Sequence, residues 1–225
     1  MVGHLAPPEG ARPVLALSLA RLNRLLHLDP LAQLATFEAG AAGPEIEARL
    51  RERGFTLGHF PQSFDYSTLG GWIATRSSGQ QSARYGRIEG MFAGACVETP
   101  TGRLDMPTFP ASAAGPDLRE WVLGSEGRIG IITQAVMRVT PAPESEAFAG
   151  YFLPDWEQGE LAARELAQAK LGLSMLRLAN ETETETTLRL AGGGTAVRLL
   201  ERYLRARGCG DGKVLLLAGF TGGAA

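Results

Sequence analysis

The chain has 225 residues, of which 44% are hydrophobic and 20% charged, a balance typical of a globular protein with one large or two modest domains. A net charge of −2, with arginine and glutamate interspersed, excludes the basic surface that nucleic-acid binding requires. Cys96 and Cys209 are too few for a disulfide framework or a cysteine-rich metal site, and we expect no metal.

The chain shows no basic start followed by an apolar run, and no stretch approaches the ~18 apolar residues of a membrane span. We therefore expect no transmembrane segment and, with no other targeting signal apparent, a cytoplasmic location.

Two apolar runs and one periodic segment predict regular structure near the N-terminus. The runs at 14–19 and 34–39 are typical of buried strands. The pattern over 44–53 predicts a helix, since Pro44 suits the first helical position and Gly54 the C-terminal cap.

From residue 60 to 94 the periodicity disappears, and serine, threonine, glycine and tyrosine predominate. We expect irregular structure there. A helix is predicted over 117–123, and the β-branched run over 129–139 predicts a long strand.

The segment 140–146 is predicted to be a linker, because it holds two prolines among polar residues. We place a domain boundary there, giving domains over 1–143 and 144–225. The second domain should be a small α+β layer with strands over 148–153, 174–178 and 213–219 and helices over 157–170 and 196–207.

The first motif is Pro61-Gln62-Ser63-Phe64-Asp65-Tyr66-Ser67-Thr68-Leu69-Gly70-Gly71-Trp72. It clusters three serine and threonine hydroxyls within six residues and follows them with two glycines, which let a backbone approach a ligand closely. Such a surface fits a diphosphate, whose oxygens require several short hydrogen bonds. The alternative is a serine-rich turn that contacts only water.

Two further motifs offer a charge and a glycine-rich loop. Thr75-Arg76-Ser77-Ser78-Gly79 presents an arginine that could lie beside a phosphate or on the surface. Gly124-Ser125-Glu126-Gly127-Arg128-Ile129-Gly130-Ile131-Ile132-Thr133 brings glycines between a helix and a strand. There a backbone can pass close to a ring or a sugar, or simply form a helix end and a bulge.

Taken in this order, the motifs resemble the FAD-linked oxidase family, the vanillyl-alcohol-oxidase or PCMH-type flavoproteins, and within it the alkyldihydroxyacetonephosphate synthase branch. The resemblance implies FAD as cofactor. It implies FAD contacts at Gln62, Ser63, Asp65, Ser67, Thr68, Gly70, Gly71, Thr75, Arg76, Ser77, Ser78, Glu126, Gly127, Gly130, Ile131 and Ile132. Gln62 departs from the aspartate that the family pattern has there.

The same resemblance implies a partial PCMH-type FAD-binding domain over 1–143, followed by the start of an α+β substrate or cap domain. It places a glycine-rich diphosphate loop before Met1 and the catalytic residues beyond residue 225. On that basis we expect the isolated chain to bind FAD weakly. Its protein partner could be a second copy, forming a homodimer, or a polypeptide that completes the domain. We expect His4, His27 and His59 to be surface or turn residues.

The resemblance leaves three functions open. The first is the synthase reaction, in which the flavin N5 binds the substrate and an alkyl group replaces the acyl group of a lipid phosphate. The second is FAD-dependent oxidation of a D-2-hydroxy acid such as D-lactate or glycolate. The third is a non-catalytic fragment or subunit. For either enzyme, the resemblance implies that Arg177 binds an anionic small-molecule or lipid-phosphate substrate.

Overall fold

The computed structural model describes residues 15–110, 113–192 and 194–222. The chain forms two compact units, Met1–Ala142 and Pro143–Ala225. Each unit has its own sheet and its own helices, and the predicted α+β class is confirmed. Which unit binds cofactor and which binds substrate stays a prediction.

The first unit is built on a five-stranded antiparallel sheet with the order β1-β2-β6-β4-β5, beside a short two-stranded pair of β3 and β7. Its strands are β1 (Leu25–Asp29), β2 (Leu34–Glu38), β3 (Phe55–Thr56), β4 (Phe92–Thr99), β5 (Gly102–Met106), β6 (Ile131–Arg138) and β7 (Thr140–Pro141). Its helices are α1 (Gly43–Arg51), α2 (Leu69–Ala74), α3 (Ser82–Tyr85), α4 (Ile88–Met91) and α5 (Leu118–Val122).

The core of the first unit lies on one face of this sheet. Side chains alternate between the two faces of a strand, so Ala35 and Phe37 of β2 share the buried face with Met137 of β6. Ile46 of α1 and Ile73 of α2 belong to the same buried cluster. The sheet and the two helices therefore bury one continuous core, which fixes the position of the loop between α1 and α2.

The second unit holds a three-stranded antiparallel sheet with the order β8-β10-β9. Its elements are β8 (Ser145–Leu153), α6 (Trp156–Gln168), β9 (Met175–Ala179), α7 (Glu181–Leu190), α8 (Thr195–Ala206) and β10 (Val214–Gly222). Helix α6 approaches the sheet closely at Gly159, where a Cβ would lie 2.7 Å from a methyl group of Val214 and 2.9 Å from one of Leu178.

Three sequence-based expectations are wrong in part, and one helix was missed. Residues 15–19 form no strand, and Leu15 is 88% exposed, because they lack a partner strand; Val14 lies outside the described residues. The segment 60–94 holds three short helices, and 140–146 is not wholly irregular, since β7 pairs with β3. Helix α7 was not anticipated, because its alternating glutamate and threonine give little apolar periodicity.

Among the described helices, none is both long enough and apolar enough to cross a membrane.

Candidate FAD-binding site

The first motif folds as a turn held by its own hydroxyl groups. Ser67 Oγ donates to the carbonyl of Ser63 at 2.7 Å and accepts from Trp72 Nε1 at 2.7 Å. The hydroxyl of Ser63 donates in turn to Ser67 Oγ at 3.0 Å. The hydroxyl protons of both serines are therefore used inside the turn, and these side chains shape the loop.

The motif is attached to the sheet through the end of β2. Gly70 N donates to the carbonyl of Ala39 at 2.7 Å, and Ala39 N donates to the carbonyl of Thr133 at 3.0 Å. A Cβ at position 70 would lie 3.1 Å from both the Cβ and the carbonyl oxygen of Ala39, so glycine permits this approach. The start of α2 and the first half of β6 are thus fixed to the same short segment.

The second and third motifs meet at the C-terminal end of α2. Arg76, at a φ of 49°, donates through Nε to the carbonyl of Leu123 at 3.3 Å and forms an ion pair with Glu120. The amide of Gly124 donates to the carbonyl of Ile73 at 3.0 Å, and that of Glu126 donates to Ala74 at 2.9 Å. The structure therefore brings Thr75–Ser78 and Gly124–Gly127 side by side, although they are about 50 residues apart.

The rest of the third motif lies where β6 begins. Gly130 passes so close to β4 that a Cβ there would be 2.3 Å from the carbonyl oxygen of Glu98. Ile131 is 41% exposed and pairs with Glu98, whereas Ile132 is buried in the core. Of the two isoleucines, Ile131 alone presents a largely accessible side chain to a ligand.

The predicted contacts divide into residues that build the loop and residues that remain available. Thr75 Oγ1 donates to the carbonyl of Gly71 at 2.9 Å, so it joins Ser63, Ser67 and Arg76 in the first group. No partner for the side-chain polar atoms of the other group occurs in the described parts of the chain; its members are Gln62, Asp65, Thr68, Ser78 and Glu126.

These available groups fit the chemistry of FAD. The amide of Gln62 and the hydroxyls of Thr68 and Ser78 are neutral donors of the kind that diphosphate oxygens and ring carbonyls accept. The carboxylate of Asp65 is an acceptor for sugar hydroxyls. Exposed Gly71 and Gly127 add backbone that a planar ring can approach without a clash.

His59 is the residue in this region that the sequence analysis placed wrongly. Its side chain is fully buried, not at the surface, and its Nε2 lies 3.1 Å from Ser77 Oγ. Its ring meets that of Trp72 edge-on, with 4.9 Å between the centroids. Burial lowers the pKa of His59 to about 4, which keeps the imidazole neutral. The flanking Leu57 and Phe60 were a usable signal of burial.

A buried carboxylate fixes the segment that leads into His59. Glu47 of α1 accepts hydrogen bonds from Thr56 Oγ1 at 2.8 Å and from the amides of Leu57 and Gly58, each at 3.0 Å. The positions of His59 and of the loop that follows are therefore set from the first helix.

Arg177, the predicted substrate residue, lies in the second unit on β9, an edge strand of its sheet. Its guanidinium is partly exposed and forms an ion pair with Glu183 in the first turn of α7. The arginine is thus held in place by a carboxylate that an anionic ligand could replace.

Comparison with known proteins identifies the first half of the chain. Residues 3–105 match the model of a family described as FAD binding domain. Over 185 residues the chain is 37% identical to alkyldihydroxyacetonephosphate synthase of Dictyostelium discoideum, covering 82% of this chain and 30% of that protein. Over 178 residues it is 38% identical to the synthase of Trypanosoma brucei brucei, covering 79% and 29%.

A solved structure of an alkyldihydroxyacetonephosphate synthase is similar across both units. The TM-score is 0.80 at 34% sequence identity, and the match covers 92% of this chain and 38% of that one. The chain therefore spans about a third of the length of the relatives that it matches.

Proposed function

Since the chain belongs to the FAD-linked oxidase family and its cofactor is FAD, we propose that it carries the FAD-binding portion of an alkyldihydroxyacetonephosphate synthase. The observation that carries the proposal is the similarity to such synthases in both sequence and fold, which extends beyond the FAD binding domain into the unit that holds Arg177.

In the proposed reaction, the acyl group of an acyl-dihydroxyacetone phosphate leaves as a fatty acid and a fatty alcohol takes its place, with no net oxidation. Bound FAD supplies an electrophilic ring system for this exchange. The residues of the chain have two tasks. The segments 62–78 and 124–132 hold the cofactor. Arg177 binds the substrate phosphate, which takes the place of the Glu183 carboxylate as its partner.

The direct test is an exchange assay on the FAD-loaded full-length protein. Acyl-dihydroxyacetone phosphate labelled in the acyl group is supplied with a long-chain alcohol, and the release of labelled fatty acid is followed together with formation of the ether. We expect both products in equal amounts. If no ether forms, and the protein instead oxidises D-lactate or glycolate while an electron-accepting dye is reduced, the result would support a D-2-hydroxy-acid dehydrogenase.

Replacing the predicted substrate arginine tests its role separately from cofactor binding. We expect Arg177→Ala to lower kcat/KM about 10- to 100-fold, the range of one lost charge-assisted interaction, while the flavin content stays unchanged. Arg189→Ala is the matched control, because Arg189 forms a similar ion pair with Glu185 at an exposed site. Equal kcat/KM values in the two variants would contradict a role for Arg177 in substrate binding.

A further inference from the structure

His59 offers one nitrogen to a partner and leaves the other without one. Nε2 lies 3.1 Å from Ser77 Oγ, whereas Nδ1 is buried and has no hydrogen-bond partner among the described residues. Gly79 lies beside this nitrogen, since a Cβ built at that position would be 3.3 Å from Nδ1. The two nitrogens therefore have very different surroundings.

This asymmetry determines which nitrogen carries the proton. A neutral imidazole has one N–H donor and one bare acceptor nitrogen. A buried N–H without a partner is costlier than a buried lone pair without one, because backbone and side-chain donors in proteins are almost always satisfied. The geometry therefore favours a proton on Nε2 and a bare Nδ1, so that Nε2 donates to Ser77 Oγ.

The direction of that bond constrains the hydroxyl of Ser77. Because its oxygen accepts from Nε2, its own proton must point away from the imidazole. No other hydrogen bond engages this hydroxyl within the residues that the structure describes, and the side chain is half-buried at the second motif. Ser77 is thus prepared to donate, in contrast to Ser63 and Ser67, whose protons are used inside the turn.

We propose that His59 is a positioning residue which orients the hydroxyl of Ser77 as a hydrogen-bond donor to an anionic oxygen of FAD. The inference rests on the proposed FAD site, but it does not require the synthase reaction. His59 does not contact the cofactor; it acts through Ser77. The chemical group that fits this donor is a phosphate oxygen, which accepts and cannot donate.

The ring contact with Trp72 extends the effect to the first motif. Trp72 Nε1 donates to Ser67 Oγ, so the imidazole that orients Ser77 also packs against the ring that holds Ser67. His59 is therefore linked to the 63–67 turn through Trp72 and to the 75–78 turn through Ser77.

A double-mutant cycle on the affinity for FAD tests the proposal. The full-length protein is titrated with FAD, and Kd is measured by quenching of flavin fluorescence for the wild type, Ser77→Ala, His59→Leu and the double variant. We expect each single change to raise Kd about 10- to 100-fold and the double change to raise it no further. Losses that multiply in the double variant would overturn the proposal.

Two controls separate positioning from folding. In His59→Gln the side-chain amide can donate to Ser77 from nearly the same place, so we expect Kd within a few-fold of the wild type. His27→Gln changes an exposed histidine on β1 and should leave Kd unchanged. Failure of the glutamine variant to recover affinity, with wild-type stability, would overturn the proposal.

The tautomer is measured without any cofactor. In the FAD-free protein, long-range nitrogen–proton correlations of the His59 ring distinguish Nε2–H from Nδ1–H, and we expect Nε2–H. Finding Nδ1–H would overturn the proposal. A wild-type protein that binds FAD but lacks the synthase reaction would refute the proposed function and leave the His59 result intact.

Discussion

Glu38 and Glu47 are buried carboxylates whose oxygens are surrounded by donors. Glu38 accepts from the backbone and the guanidinium of Arg24, and this pairing lowers the pKa of Glu38. Glu47 accepts from one hydroxyl and two backbone amides of the chain that leads to His59. Buried charge is tolerated at both places because the hydrogen bonds compensate for the loss of water.

Removing the Glu47 carboxylate should destabilise the first unit by about 2–4 kcal/mol, because the buried amide of Leu57 and the buried hydroxyl of Thr56 lose their acceptor. Denaturant unfolding of Glu47→Ala measures the change in the free energy of unfolding. Glu52→Ala, at an exposed position next to α1, is the control and should stay within about 0.5 kcal/mol of the wild type. Similar decreases in the free energy of unfolding of the two variants would contradict a stabilising role for the buried Glu47 carboxylate.

The neutral His59 predicts a pH dependence of stability. Its pKa is about 4 in the folded state and 6.5 in the reference state, so between these values the unfolded chain binds the proton and the folded chain does not. Stability should therefore fall as the pH drops from 6.5 towards 4, by up to about 3 kcal/mol, and this contribution should be absent above pH 6.5.

Denaturant midpoints at pH 7 and pH 5 test this, with His59→Gln as the comparison. The loss of stability on acidification should be smaller in the variant, since glutamine does not titrate. Carboxylates with a lowered pKa, such as Glu38, lose their contribution only below pH 4.5, outside this window. An identical pH dependence in both proteins would contradict a buried neutral imidazole.

At the scale of elements, the candidate site depends on how closely β6 approaches β4. Gly130 allows this approach, since any Cβ would overlap the carbonyl oxygen of Glu98. We expect Gly130→Ala to destabilise the protein by about 1–3 kcal/mol, because the start of β6 must shift. That shift would also displace Ile131, so the affinity for FAD should fall.

Thermal unfolding and FAD titration measure the two effects. Gly90→Ala is the matched control, because position 90 lies in helix α4 with open space around its Cα and should be neutral or slightly stabilising. A Gly130→Ala protein as stable as the control would mean that β6 and β4 are not in close contact there.

At the scale of the whole molecule, each unit has its own buried side chains. Leu50 belongs to the core of the first unit, and Leu216 is buried on the central strand of the second unit. We expect Leu50→Ala to lower the free energy of unfolding by about 2–5 kcal/mol and to lower the protection of amides from hydrogen exchange mainly within 15–142. Leu216→Ala should do the same mainly within 143–222.

Hydrogen exchange followed by mass spectrometry resolves the two regions, and each variant serves as the control for the other. Loss of protection throughout the chain in both variants would contradict two separately cooperative units and the boundary near Ala142.

The sequence by itself determined the strongly patterned elements and the family. The strands at β2, β6 and β10 and the helices α1, α6 and α8 were predicted because each has its own period, its own cap or a run of β-branched residues. The ordered motifs also led to FAD, through their resemblance to the FAD-linked oxidase family; their glycines and hydroxyls alone fit either a diphosphate site or a serine-rich turn.

Only the tertiary structure decided how those motifs are used. It showed that Ser67 Oγ accepts a hydrogen bond from Trp72 Nε1 and that Arg76 Nε donates to the carbonyl of Leu123. It also showed that His59 is buried, with Nε2 within hydrogen-bonding distance of Ser77 Oγ. Arg76 and Leu123 are 47 residues apart and His59 and Ser77 are 18 apart, beyond the range of any local pattern. Whether a polar side chain faces a ligand or another part of the fold depends on which distant groups packing brings within hydrogen-bonding distance.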